Sequence, residues 1–221
     1  MHIPDGMLSA PVALGTAVLA GGGLALSIAK TRKSLGQQQI PILGVSTAFI
    51  YAAQMLNFPI AGGTSGHFLG AILASVLLGP WAGFIVISLV LVVQCFLHGD
   101  GGLGALGANI LNMAAVGGLL AYFIFAVLKK ILPATKKGSI LSAGIAAWCS
   151  VVLASTVCSF EIVLSGKLQY SPLSVFAAMV GVHSIIGIGE ALITVSVLSL
   201  VLASRPDLVN GIKLETEVQS A

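Results

Sequence analysis

The chain begins with MHIPDGML, residues 1–8, a stretch that places three nitrogen atoms within one residue step. They are the α-amine of Met1, the backbone amide of His2 and the His2 imidazole. Such a trio can close fused chelate rings around a small divalent cation, and imidazole nitrogen suits cobalt, nickel, copper and zinc. Pro4 and the Asp5-Gly6 pair favour a sharp turn that folds this head back on the rest of the protein. The alternative is a frayed terminus whose histidine has no function.

The composition predicts a membrane protein. Of the 221 residues, 57% are hydrophobic and only 8% are charged, whereas a soluble domain carries roughly 25% charged residues. The net charge of +3 is small, so we expect a lipid bilayer and no nucleic acid as partner. Cys95, Cys149 and Cys158 lie in apolar runs without CxxC spacing, which is typical of buried small hydrophobic residues.

Hydropathy predicts an all-α bundle of about seven transmembrane helices in one domain, residues 1–221. The predicted spans are Met7–Ala29, Ile40–Leu56, His67–Leu78, Trp81–Leu97, Ala105–Leu128, Ile140–Leu164 and Pro172–Ala203. Nine basic residues follow the first, fifth and seventh spans: Lys30, Arg32, Lys33, Lys129, Lys130, Lys136, Lys137, Arg205 and Lys213. Only Lys167 falls in the other set of loops. The positive-inside rule therefore places the N-terminus outside and the C-terminus in the cytoplasm.

This orientation groups three loops on the same side as the head, namely residues 58–66, 98–104 and 165–171. Polar residues within the spans lie at the same level: Gln54, Asn57, Gln94, Asn109, Asn112 and Glu161. Intramembrane polar groups are costly and usually face a cavity or the bundle interior. A polar outer chamber above an apolar floor is more typical of a binding pocket than of a pore.

The segment GGTSGHFLG, residues 62–70, contains the histidine that we expect to complete the site. His67 can supply the fourth nitrogen that the head lacks for a planar set. Square-planar or tetragonal nitrogen sites point to nickel or copper, with low-spin cobalt also possible. The alternative is a histidine that only hydrogen-bonds a carbonyl group.

Groups that would hold the ligands in place are predicted nearby: Thr64, Ser65, Asp100, Asn109 and Asn112. His98 is either a metal-capturing side chain at the entrance or an exposed loop histidine. His183 and Glu190 lie two turns apart on one face of the last span, where an internal polar contact is favoured over a direct metal or proton role.

Small residues recur at every fourth position of the first span: Ser9, Ala13, Ala17, Gly21, Ala25 and Ala29. Such faces let helices approach closely in lipid. The stripe Ala13, Ala17, Gly21 and Ala25 either packs inside the bundle or docks another membrane subunit.

A rival interpretation starts from Gly63-Thr64-Ser65-Gly66, which matches the GxSG of intramembrane serine proteases. Ser65 would be the nucleophile and His183 its base. Chance supplies this short motif readily in a chain with 27 glycines, and a protease leaves the N-terminal head unexplained.

Three blocks of sequence resemble one family. They are MHIPDG at residues 1–6, NFPIAGGTSGHFLGA at residues 57–71 and GDGGLGALGANILNMA at residues 99–114. The chain is similar to the cobalt/nickel uptake family, whose members CbiM and NikM are the membrane substrate-binding subunits of energy-coupling-factor transporters. Two positions depart from its pattern: Ala61 stands where Pro is frequent and Gly104 where Thr is common.

The resemblance implies a seven-helix bundle with the N-terminal segment folded into it. The cargo, Co²⁺ or Ni²⁺, would be bound by the Met1 amine, the His2 amide and imidazole, and the His67 imidazole. The four-nitrogen geometry favours nickel, whereas a subunit without a fused accessory domain favours cobalt.

The resemblance also implies a transporter subunit, not an enzyme, in the cell inner membrane. It would serve cobalamin biosynthesis or nickel enzymes. Its partners would be a membrane coupling subunit, cytoplasmic ATPase subunits and a small accessory membrane subunit. The chain contains no Walker A pattern, so the energy must come from another chain.

Overall fold

The computed structural model describes residues 1–34, 36, 40–60, 64–167 and 170–212. Within these ranges seven helices and one short hairpin form a bundle, which confirms the predicted all-α membrane fold. In order, the elements are α1 (Ala10–Ser34), α2 (Ile40–Gln54), β1 (Phe58–Ile60), β2 (Thr64–Gly66), α3 (Ala71–Leu78), α4 (Pro80–His98), α5 (Leu106–Ile131), α6 (Lys136–Leu164) and α7 (Pro172–Ser204). A 3₁₀ turn, Pro206–Leu208, follows.

Five of these helices are long and apolar enough to cross a membrane, namely α1, α4, α5, α6 and α7. Helix α2 has 15 residues and α3 only 8. At a rise of 1.5 Å per residue, α3 covers about 12 Å of a hydrocarbon layer that is about 30 Å thick. The prediction of a third helical span over His67–Leu78 is therefore wrong, because the helix occupies only the second part of that stretch.

Helix α3 is the core of the bundle. All eight of its residues are buried, and it contacts α4, α5 and α6. A helix that is apolar on every side is stable only when other helices surround it. The four residues before it, 67–70, are not helical, and Gly70 has a φ of +74° that interrupts any helix running through it. His67 thus lies on a short irregular segment between β2 and α3.

Helix α5 contains a π-helical stretch, Leu111–Leu120, after a first turn of ordinary α-helix. A π-helical turn is wider than an α-helical turn and changes the direction in which the following side chains point. Helix α1 meets the start of α5 at close range, where a Cβ atom on Gly107 would collide with the backbone of Ala17.

The loops before and after α6 contact different parts of the chain. At one end, the Lys129 amine donates to Gly211 O at 2.7 Å and the Lys136 amine donates to Leu202 O at 2.9 Å. The basic loop between α5 and α6 therefore lies beside the C-terminal segment. The head lies at the opposite end of α6, where Lys167 contacts it.

Candidate metal centre

The N-terminal head, residues 1–8, is folded into the bundle. Met1, His2 and Ile3 are 1%, 3% and 0% exposed, so the alternative of a frayed terminus is wrong. The Ile3 amide donates to Asn109 Oδ1 at 2.8 Å, and Asn109 Nδ2 donates back to Ile3 O at 3.2 Å. Gly102 N also donates to Ile3 O at 2.9 Å. Asn109 therefore pairs with the backbone next to His2, as its predicted supporting role requires.

Two loops close over the rest of the head. The Asp5 carboxylate accepts hydrogen bonds from Leu103 N at 3.2 Å and Gly104 N at 2.8 Å. Gly102 has no room for a Cβ atom, because Asp5 lies directly against it. From the α6–α7 loop, the Lys167 amine donates to Gly6 O at 3.2 Å and Leu8 O at 2.9 Å. Asp5 and Lys167 were not among the residues predicted for the site.

The three nitrogens of the head converge on one point. Ser65 Oγ lies 3.2 Å from the Met1 amine nitrogen, 3.1 Å from the His2 amide nitrogen and 3.1 Å from His2 Nδ1. Ser65 lies on β2, which pairs with β1 in the short hairpin beside the head. Ser65 is thus in contact with all three nitrogens, consistent with its predicted role beside the ligands.

The neighbours of the His2 ring indicate which nitrogen carries its proton. Nε2 lies 3.1 Å from Gln94 Oε1, which can only accept a hydrogen bond, so we assign the proton to Nε2. Nδ1 then keeps its lone pair and accepts a hydrogen bond from the Ser65 hydroxyl at 3.1 Å, while Asp100 Oδ1, a second acceptor, lies 3.2 Å away. Gln94 was expected in the polar chamber but not assigned to the site. Its position within the apolar run of α4 is the signal that could have identified it.

His67 presents one free nitrogen beside the head. Its Nδ1 donates to Phe68 O at 2.6 Å. Its Nε2 is buried and has no hydrogen-bond partner among the described residues. The ring stacks on that of His2 with 4.6 Å between centroids and 28° between planes. Carbonyl bonding and metal binding, treated above as alternatives, can therefore occur together on different nitrogens.

Burial sets the charge of these groups. Loss of water lowers the pKa of the Met1 amine to about 5 and that of His2 to about 3. It also lowers the pKa of His67 well below its usual value and raises the pKa of Asp100. At neutral pH the amine and both imidazoles are uncharged, so their lone pairs are available to a cation.

The other predicted supporting residues bond elsewhere. Thr64 Oγ1 donates to Met179 Sδ at 2.8 Å. Asn112 Nδ2 donates to Glu161 Oε2 at 2.6 Å, and Asn112 lies in the π-helical stretch that begins after Asn109. Asn109 therefore contacts the head, whereas Asn112 contacts α6.

Asp100 and His98 lie at the end of α4. Asp100 Oδ2 accepts a hydrogen bond from Asn57 Nδ2 at 2.8 Å, while its other oxygen faces His2. His98 is exposed and hydrogen-bonds the Tyr51 hydroxyl. Its predicted role at an entrance stays a prediction.

His183 and Glu190 do not form the internal contact that was predicted. His183 Nδ1 donates to Met179 O at 2.7 Å, and its Nε2 has no partner among the described residues. Glu190 bonds to the backbone of Leu69 and Gly70. The Ser65–His183 dyad of the protease interpretation is also wrong, because Ser65 Oγ bonds the head and no bond joins it to His183.

Within the described ranges, no three His, Cys, Asp or Glu side chains come together to hold an ion. A groove of about 400 Å³ between α2, α3 and α7 is lined almost wholly by apolar side chains and does not suit a cation.

Comparison with known proteins identifies the family. Residues 2–208 match the family described as CbiM, cobalt uptake substrate-specific transmembrane region. The chain belongs to the CbiM family. It is 39% identical over 213 residues to a putative metal transport protein of Haloquadratum walsbyi, covering 95% of this chain and 93% of that one.

Two further relatives agree with this assignment. A putative fused nickel transport protein, NikMN, of Archaeoglobus fulgidus is 38% identical over 209 residues, covering 95% of this chain and 68% of that one. A crystal structure of a truncated transition metal transporter superposes with a TM-score of 0.86 at 32% identity, covering 92% and 99% of the two chains. This CbiM-family chain is therefore a multi-pass membrane protein of cobalt or nickel transport.

Proposed function

We propose that this chain is the metal-capturing subunit of an ATP-driven importer of the energy-coupling-factor type. It takes Co²⁺ or Ni²⁺ from the outer side of the cell inner membrane and supplies cobalamin biosynthesis or nickel enzymes. The observation that carries the proposal is the convergence of three head nitrogens within 3.2 Å of Ser65 Oγ. The unpartnered Nε2 of His67 lies on a ring stacked against His2.

The four proposed ligands are the Met1 amine, the His2 amide nitrogen, His2 Nδ1 and His67 Nε2. Only the amide must lose a proton, because burial already keeps the amine and imidazoles neutral. Gln94 and Phe68 O hold the two rings in tautomers that leave these nitrogens free.

The proposed direction of transport follows from the loops. The positive-inside rule assigns the basic loops to the cytoplasm. Lys129 and Lys136 contact the C-terminal segment, which supports placing the α5–α6 loop and the C-terminus on the same side of the membrane. The head, which lies at the opposite end of α6, is then on the outer side. The cytoplasmic ATPase subunits, the membrane coupling subunit and the small accessory subunit are the proposed partners. This chain covers 68% of the fused nickel transport relative. The remaining part of that fused protein supports the proposal that a further subunit is needed.

The deciding experiment compares an uncleaved two-residue extension before Met1 with the same extension after Ala221. The first turns the proposed amine ligand into an amide and adds backbone to a head that is 1–3% exposed at Met1 and His2. We expect that protein to purify without stoichiometric Ni²⁺ or Co²⁺ and to lose uptake. The second should retain both. Metal content measured after equal loading, followed by competition between the two ions, also tells which is preferred.

Equal metal in the two proteins would refute the amine–amide–imidazole site. A histidine-only site and a serine protease would both tolerate the N-terminal extension. Loss of metal from both proteins would instead indicate that the extensions disturb the fold, which circular dichroism and gel filtration of the same samples detect.

A further inference from the structure

Glu190 is a buried carboxylate to which the proposed metal site assigns no role. Helix α7 places it inside the bundle with only 1% of its surface exposed. Carboxylates in spanning helices are costly and tend to be functional. Its two oxygens accept hydrogen bonds from Leu69 N and Gly70 N, both at 2.7 Å. These two hydrogen bonds join α7 directly to the backbone of residues 69 and 70.

The segment held in this way is the one that orients His67. Phe68 O, which lies in the same peptide unit as the Leu69 amide, accepts a hydrogen bond from His67 Nδ1 at 2.6 Å. From the other side, Gln54 Nε2 of α2 donates to Leu69 O at 2.7 Å. The carbonyl that fixes the tautomer of His67 thus belongs to a segment anchored between two helices. Because Nδ1 donates this hydrogen bond, the lone pair of the ring lies on Nε2, which has no hydrogen-bond partner among the described residues.

We propose that Glu190 is a positioning residue for metal capture. By binding Leu69 and Gly70 it fixes the segment 67–70, and so holds His67 Nε2 beside the Met1–His2 head. This inference rests on the proposed function, because it takes His67 as a ligand. A carboxylate at the N-terminus of α3 also stabilises that helix, so the test must separate positioning from capping.

The test uses Glu190→Gln, which keeps the size of the side chain but cannot accept both hydrogen bonds. Thr194→Val is the matched control. Thr194 lies one turn further along α7, is 0% exposed, and its hydroxyl has no partner among the described residues. Each purified protein is loaded with Ni²⁺. Its ligand-field absorption band is then recorded, and the release rate is measured after addition of excess chelator.

We expect Glu190→Gln to release Ni²⁺ roughly 10- to 100-fold faster, the range seen when support around a metal-ligating histidine is lost. Its absorption band should shift, because the imidazole no longer meets the ion at the same angle. Thr194→Val should match the wild type in both. Lower thermal stability of Glu190→Gln with an unchanged band and release rate would overturn the proposal, leaving a helix cap only.

If Glu190→Gln does not fold, Glu190→Asp decides in its place. The shorter side chain keeps the charge but cannot reach both amides, so faster release and a shifted band are again expected, and unchanged values overturn the proposal. Failure of the proposed function gives a different result: the wild-type protein itself would bind neither Ni²⁺ nor Co²⁺.

Discussion

Asp100 supplies a negative charge next to the proposed metal site. Its Oδ1 lies 3.2 Å from His2 Nδ1, and its side chain is 17% exposed. A doubly charged ion bound by two neutral imidazoles, a neutral amine and one deprotonated amide still carries one positive charge. The carboxylate of Asp100 neutralises it. Burial of a neutral assembly costs far less than burial of a charged one. We therefore infer that the negative charge of Asp100, in addition to its contact with His2, stabilises the bound metal ion.

Asp100→Asn tests this inference at constant size. The amide can still present an oxygen to Asn57, which now bonds Oδ2, so the loop should keep its conformation. We expect Ni²⁺ or Co²⁺ affinity to fall roughly 10- to 100-fold, as for other groups around a metal's ligands. Isothermal titration of the purified protein measures it. Asp207→Asn makes the same change at an exposed residue paired with Arg205 and should leave affinity unchanged. Equal affinity in Asp100→Asn and the wild type would contradict the charge argument.

At the scale of elements, the head is a short irregular segment held closed by the loops around it. Lys167 has a clear part in this closure, because its amine bonds two head carbonyls, Gly6 O and Leu8 O. Lys167 is also the one basic residue that the sequence analysis placed in the outer loops. Its bonds to the head give it a structural role on that side.

Lys167→Met should loosen the head without removing a ligand. Two partly exposed hydrogen bonds from a charged donor contribute about 1 kcal/mol, so we expect metal release to become roughly fivefold faster. Amide hydrogen exchange at residues 2–8 should accelerate in parallel, and mass spectrometry of the metal-loaded protein detects it. Lys137→Met, at the opposite end of α6, is the control and should change neither. Unaltered exchange in Lys167→Met would show that the lysine does not hold the head.

The sequence predicted elements well where a local pattern determines them. Five helices carry long apolar runs, which lipid stabilises whatever their neighbours are. The start of α3 was missed because His67 continues an apolar run into it. The helix begins at Ala71 only because Gly70 adopts a left-handed conformation and Glu190, 120 residues away, bonds its amide. Such a contact leaves no local signal.

In the candidate site, too, residues with a local sequence signal could be selected, and those defined by long-range contacts could not. His67 and the Met1–His2 pair were predicted because their chemistry can be recognised from residue type and spacing. Gln94 was expected in the chamber but not at the His2 ring, because one polar residue in an apolar helix does not indicate its partner. Asn112 bonds Glu161 of α6, and nothing in the sequence indicated the π-helical stretch in which it lies.

For the whole molecule, the open question is where partner subunits dock, and α1 is the candidate surface. Its stripe of small residues divides into two parts. Ala13 is half-buried, and the backbone of Ala17 lies against Gly107 of α5, so this part packs partly inside the bundle. Gly21 and Ala25 are exposed, and a Cβ atom on Gly21 would meet nothing within 4 Å. The second part is therefore open to close approach by another helix.

Gly21→Leu combined with Ala25→Leu tests docking at this second part. Both leucines would project away from the bundle, so the isolated protein should fold and bind metal as before. Their bulk would hold a partner helix away from the α1 backbone and remove the close packing that small residues allow in lipid. We expect co-purification with the co-expressed coupling and ATPase subunits to fall at least tenfold, a loss of about 1.4 kcal/mol in binding. Val18→Leu adds bulk at an exposed position off the stripe and should leave the complex intact. Loss of metal binding along with the complex would show that the second part also packs internally, and normal co-purification would exclude it as the docking face.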